Sequence, residues 1–175
     1  MDDLPILIVG FQRDENILQL VDSLLRQGIR RIYLSLDGSE NAEILEKQNR
    51  LVHGLASIEK IHSPSVQIFI KRQKRNYQAG AAVIRSINWF FSHVDYGLII
   101  EDDLVVNETF IPYVKKSLPY LDENDRCLMI CGTRLLPENS DSATLSSYPN
   151  SWGWATSKEK WLTKIGRASC RERVS

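Results

Sequence analysis

The chain has 175 residues, enough for one domain with a core of its own. Its 22 Lys and Arg balance 22 Asp and Glu, so nothing in the overall charge calls for nucleic acid as a partner, while a local basic patch leaves peripheral membrane contact open. At 43% hydrophobic and 25% charged the composition is that of an ordinary globular protein, and no run approaches the roughly 18 apolar residues of a membrane span.

Leu4–Phe11 is short, apolar and β-rich, and predicts a buried strand. Asp14–Gln27 carries Ile17, Leu18, Val21, Leu24 and Leu25 at helical spacing, with Asp14 as N-cap and Gly28 as C-cap. Arg31–Leu36 predicts a second strand ending at Asp37-Gly38. Ser39–Leu55 is helix-prone, Val66–Lys71 a third strand, and Ala79–Phe91 a helix with Ala82, Val83, Ser86, Ile87 and Phe90 as its buried stripe. Tyr96–Ile100 predicts a fourth strand and Thr109–Leu121 a helix that tolerates Pro112 in its first turn. Arg126–Cys131 predicts a fifth strand, and Thr133–Tyr148 a polar surface loop. Strand and helix alternate throughout. The expectation is an α/β fold, a mostly parallel sheet with helices on both faces.

Cys127 and Cys131 are four apart and Cys170 is remote, a spacing that fits neither a zinc site nor a disulfide framework. Reduced thiols and an acidic N-terminus, Asp2-Asp3, predict a cytoplasmic protein without a signal peptide. The stretch from Ile165, "IGRASCRERVS", resembles a sequencing-adaptor oligonucleotide translated in frame. Residues 165–175 are therefore expected to be a non-native tail behind a domain spanning 1–164, itself truncated at its C-terminal end.

In open α/β sheets ligands sit outside the carboxyl ends of the strands. The first strand ends at Gln12, Arg13 and Asp14, and the second at Asp37. After the third comes "KRQKRNYQAG", with Lys71, Arg72, Lys74, Arg75 and Asn76; after the fourth come Glu101, Asp102 and Asp103. Taken singly, each has a plain structural reading: a solvated acidic turn, a solvated basic face, an Asp-Gly turn. Together, on one sheet edge, carboxylates beside cations suit a divalent cation and a phosphorylated ligand.

An apolar strand running into "LIIEDDLVVNETF" resembles the metal-binding motif of GT-A-fold glycosyltransferases. "YPNSWGWATSKEKW", Tyr148–Trp161, looks like their aromatic acceptor-side segment; "PILIVGFQRDENILQLVDSLL" and "IYLSLDGSE" look like their opening elements. The chain is similar to bacterial family-2-like enzymes and, more distantly, to animal N-acetylglucosaminyltransferases with an E-D-D motif. The resemblance implies a Rossmann-like nucleotide-sugar-binding fold. It makes Asp103 the direct ligand of Mn²⁺ or Mg²⁺, and Asp102, with Glu101 nearby, the ribose contact. Asp37 would meet the uracil or ribose, and Arg13 the base or diphosphate edge. Arg75 and Asn76 fall on the donor side, although the relatives' N-x-G turn reads Asn76-Tyr77-Gln78 here. Trp152, Gly153 and Trp154 would shape the sugar or acceptor pocket, or else form core or lid, since tryptophans pack anywhere.

The implied function is metal-dependent, inverting transfer of a sugar from a nucleotide diphosphate sugar, UDP-linked, to an acceptor hydroxyl. The ion would neutralise the departing diphosphate, and a carboxylate base would deprotonate the acceptor. The relatives' base follows the tryptophan segment, where Glu159 is the one nearby carboxylate and a poor candidate. The chain is thus expected to bind donor without turning it over. Rival readings are a non-catalytic nucleotide-sugar-binding module and a Mg²⁺-binding phosphoacceptor domain, whose acidic pair follows the first strand, here Gln12-Arg13-Asp14. A nucleotidyltransferase would carry a Gly-rich loop where "FQRDEN" stands.

Overall fold

A computed structural model describes residues 3–133, 143 and 145–165. Most of the predicted Thr133–Tyr148 loop, and the expected tail beyond Ile165 with Cys170, lie outside the described residues.

The elements in order are β1 (Ile6–Gly10), α1 (Asp14–Arg26), β2 (Arg31–Leu36), α2 (Ala42–His62), β3 (Gln67–Arg72), α3 (Gln78–Phe90), β4 (Tyr96–Glu101) and α4 (Phe110–Glu123). The short β5 (Ile130–Cys131) and β6 (Trp154–Ser157) follow, then α5 (Lys158–Lys160), which runs into a π-helical turn, Trp161–Ile165. Asn41 rather than Ser39 starts α2: its side chain accepts the N–H groups of Glu43 (2.9 Å) and Ile44 (3.3 Å). The helix outruns the predicted Leu55 because no breaker intervenes before Pro64, whose predecessor Ser63 is extended.

The strands form one sheet in the order β3-β2-β1-β4-β6-β5. β3, β2, β1 and β4 are mutually parallel, whereas β6 runs antiparallel to both β4 and β5. The expectation of a mostly parallel sheet is corrected to a mixed one. β6, read from sequence as an aromatic pocket segment, is a sheet strand inserted between β4 and β5. The predicted strand Arg126–Cys131 shrinks to Ile130–Cys131, where β6 pairs with it.

Both faces are covered. Ile6, Ile8, Ile32, Leu34, Leu98 and Ile100 pack with the apolar stripes of α1, α2 and α4. Leu7, Tyr33, Ile99 and Trp154 pack on the other face with Ile87, Phe90 and Trp161. Full burial of a side chain such as Phe90 stabilises by about 1.5–3 kcal/mol. Register places Phe69, Tyr33, Leu7, Ile99, Trp154 and Cys131 side by side across all six strands. Two residues further along the parallel strands, the same face reads Lys71, Ser35, Val9 and Glu101. The apolar layer gives way to polar groups there, which fixes the edge where function is to be sought.

Candidate functional site

β1 and β4 are parallel neighbours, so Phe11–Arg13 and Asp102–Asp103 leave the sheet at one edge. The Phe11 N–H donates to Asp102 Oδ2 at 3.0 Å, and Arg13 Nη1 donates to Asp102 Oδ1 at 2.7 Å. The same nitrogen lies 3.1 Å from Asp103 Oδ2. Asp102 is 8% exposed; the Asp103 and Arg13 side chains are each half-exposed. One guanidinium therefore offsets the repulsion between adjacent carboxylates, and the hydrogen bond to Asp102, followed by the charges of Asp102 and Asp103, raises the Arg13 pKa.

Glu101 stands apart. Its carboxylate makes no hydrogen bond among the described residues. Burial first, then the charges of Asp103 and Asp102, push its pKa above 4.5 against the pull of Arg13.

Asp37, buried at the end of β2, accepts the Gly38 N–H at 3.0 Å and the Tyr77 N–H at 3.1 and 3.2 Å. Its carboxylate thus ties the end of β2 to the start of α3. Asn76 Oδ1 accepts the Gln78 N–H at 2.8 Å, and Gln78 has φ +63°. The Arg75 and Arg85 guanidinium carbons lie 4.9 and 4.1 Å from the centre of the Tyr77 ring.

Sequence reasoning missed Gln48. This α2 residue is 2% exposed, and its Nε2 donates to the carbonyls of Phe11 (2.9 Å) and Asp37 (2.8 Å). Its Oε1 accepts from Arg72 at 3.3 Å. One buried amide therefore holds together the two strand ends that carry Arg13 and Asp37. A polar residue on the buried stripe of α2, beside Leu51 and Leu55, was the only signal available for it.

A cleft of about 110 Å³ opens just after Asp103, lined by Leu104, Val105, Phe110, Thr133, Trp152 and Gly153 among others. Gly132 donates its N–H to the Gly153 carbonyl at 2.8 Å, and a Cβ on Gly132 would overlap the Phe110 ring. Gly153 has φ +69°. Trp152 is 59% exposed at this cleft, whereas Trp154 does not line it: its ring is buried 6.2 Å from that of Trp161. Of the three expected acceptor-side residues, the fold brings only Trp152 and Gly153 to the cleft. Glu159 lies at the opposite sheet edge, because β6 runs antiparallel and its last residue, Ser157, pairs with Tyr96 at the start of β4. The length of β4, roughly 15–20 Å at strand rise, separates the two edges.

No group of three His, Cys, Asp or Glu side chains converges to hold a metal among the described residues. The oxygen donor available at this edge is Asp103, half-exposed, with Asp102 spent on Phe11 and Arg13. A small hard cation bound through one or two carboxylates and the phosphates of its ligand fits such a set; a cation caged by protein alone does not. In comparisons with known proteins, no family model and no curated sequence matches the chain.

Proposed function

We propose that the chain is the nucleotide-sugar-binding part of a GT-A-like, metal-dependent glycosyltransferase that takes a uridine diphosphate sugar. The observation that carries the reading is the arginine nitrogen shared by a buried and a half-exposed carboxylate at the common edge of β1 and β4. Such an edge is where open α/β sheets bind ligands. Arg13 offers a guanidinium to a phosphate, Asp103 offers oxygen to a divalent ion, and the α2–β2–α3 contacts fix Asp37 at the end of the strand next to β1. When bound, Mn²⁺ or Mg²⁺ would neutralise the departing diphosphate. The cleft beside Trp152 supplies an apolar wall for sugar or acceptor.

Calorimetric titration of UDP with and without Mn²⁺ tests the reading. The expected result is that each strengthens the other's binding at least tenfold and that Asp103→Ala removes the synergy. Unchanged metal dependence in Asp103→Ala would refute the assignment. Mg²⁺ binding that ignores the nucleotide would favour the phosphoacceptor reading instead.

One observation favours binding without turnover for the residues described: Glu159 stands at the wrong edge to serve as base. The expected outcome is UDP binding with no transfer or hydrolysis of the sugar, read by release of free UDP.

A further inference from the structure

We propose that the outward side of β3 and α3 is a docking surface for an anionic lipid bilayer. Between Lys60 and Val94 the chain has no Asp or Glu, yet it carries Lys71, Arg72, Lys74, Arg75 and Arg85. The rest of the chain holds the compensating acid, so zero net charge conceals a strong local asymmetry. β3 is the edge strand and α3 follows it directly, which brings Arg75 and Arg85 to the Tyr77 ring and Lys71 within electrostatic reach of Arg85, whereas Arg72 turns to α2 on the other face of the sheet.

These cations also lack the partners that cations elsewhere have. On α1 and α2, Arg26 pairs with Asp22, Lys47 with Glu43 and Arg50 with Glu46. Among the described residues, Lys71, Lys74, Arg75 and Arg85 make no ion pair. Arg75 and Arg85 lie against Tyr77, and Arg72 bonds only the neutral side chains of Asn49 and Gln48. Among the described residues Glu59 accepts the Ile68 N–H and Asp37 those of Gly38 and Tyr77, and neither carboxylate pairs with these cations. Crowding is visible at Lys71, whose pKa is lowered by burial and then by Arg85.

Aromatic rings stand among the cations. Phe69, 39% exposed, stacks on Tyr33 at 4.7 Å, and the Lys71 ammonium lies 5.6 Å above the half-buried Trp89 ring. Lysine, arginine and amphipathic rings on one side of a protein are the residues that favour the headgroup layer of a membrane. No described helix is long and apolar enough to cross a membrane, so contact would be peripheral. This inference does not rest on the nucleotide-sugar reading.

Co-sedimentation with phosphatidylcholine vesicles, with and without about one-third phosphatidylglycerol, tests it. The expected result is at least tenfold stronger binding to the anionic vesicles at low salt, lost at high salt. Lys71→Gln with Lys74→Gln should weaken that binding about thirtyfold, at roughly fivefold per cation. Lys71→Arg with Lys74→Arg should preserve it, and so should the remote pair Lys116→Gln with Arg126→Gln. Equal binding to neutral vesicles, an equal loss in the remote pair, or tighter binding to single-stranded oligonucleotides than to anionic vesicles would overturn the proposal. Lys74 is exposed and Lys71, half-buried, makes no ion pair among the described residues, so the variants should keep the parent's melting temperature. Asp103→Ala, which disables the donor site, should leave vesicle binding unchanged, which separates failure here from failure there.

Discussion

The backbone of Arg75 crosses directly over Gly38: a Cβ on Gly38 would stand 2.5 Å from the Arg75 carbonyl carbon. This crossing seats the segment after β3 on the end of β2 and brings the Tyr77 N–H onto the Asp37 carboxylate. Backbone cannot give way as a flexible side chain can. Gly38→Ala is therefore expected to cost about 2–3 kcal/mol in urea denaturation and to weaken UDP binding. Loss of binding at unchanged stability would show that the crossing does not support the fold.

Gln78 sits at φ +63°, a conformation that costs a residue with a Cβ about 1–2 kcal/mol. Glycine relieves that strain but loses more backbone entropy on folding. Gln78→Gly is expected to gain about 1 kcal/mol, which for a chain of this size raises Tm by about 2–4 °C. A lower Tm would mean that the Gln78 side chain contributes more than its strain costs.

Gln48→Met keeps the side-chain volume and removes both donors. The Phe11 and Asp37 carbonyls, joined through Nε2 at 2.9 and 2.8 Å, would lose their shared partner. The expected cost is about 2–4 kcal/mol. UDP affinity should fall as well, because the strand ends carrying Arg13 and Asp37 lose their tie. A stability change under 1 kcal/mol would contradict this role.

Glu101 gives stability a pH dependence of definite sign. Its folded pKa is raised above 4.5, so the folded chain holds that proton to higher pH than the unfolded chain does. The associated stability is complete below about pH 4.5 and is lost as pH rises through the folded value. Glu101→Gln escapes the loss. The variant should match the parent near pH 4 and exceed it near pH 7 in thermal melts; a constant difference at both would sink the assignment.

Arg13 competes with any cation for Asp103, its nitrogen lying 3.1 Å from Oδ2. Arg13→Met should let Mn²⁺ raise the melting temperature of the nucleotide-free chain more than it does for the parent. The same variant should bind UDP more weakly. Equal Mn²⁺ shifts in both proteins would show that Arg13 and the metal do not share the carboxylate.

Much of the fold was legible because local periodicity and burial agree. Ile17, Val21 and Leu24 repeat at helical spacing and all face the core of α1, and Leu98–Ile100 is as buried as its unbroken aliphatic run implies. β6 was not legible. Trp154, Ala155 and Thr156 are all buried, so the strand shows no alternation, and its partners Tyr96–Ile99 lie far back in the chain. Arg13 and Asp102 were read from strand ends, but their direct contact is a product of β1–β4 pairing. Asp37 was expected to face a ligand, yet the backbone donors it accepts are set by the path of Arg75 over Gly38, which no local pattern encodes. Gln48 escaped notice because a lone amide in a polar helix carries no motif.

The insertion of β6 between β4 and β5 has a consequence for the order of folding. β1 to β4 form a contiguous parallel unit from the first 101 residues, complete before Trp154–Ser157 leaves the ribosome. Among the described residues β5 is hydrogen-bonded to the sheet only through β6, so neither can dock until the chain has travelled out and returned. The carboxylate edge thus belongs to an early-forming half, and the wall made by Trp152 and Gly153 to a late one. Pulse-labelled hydrogen exchange should find the β1 and β4 amides protected before those of β6; simultaneous protection would mean that the two halves condense together.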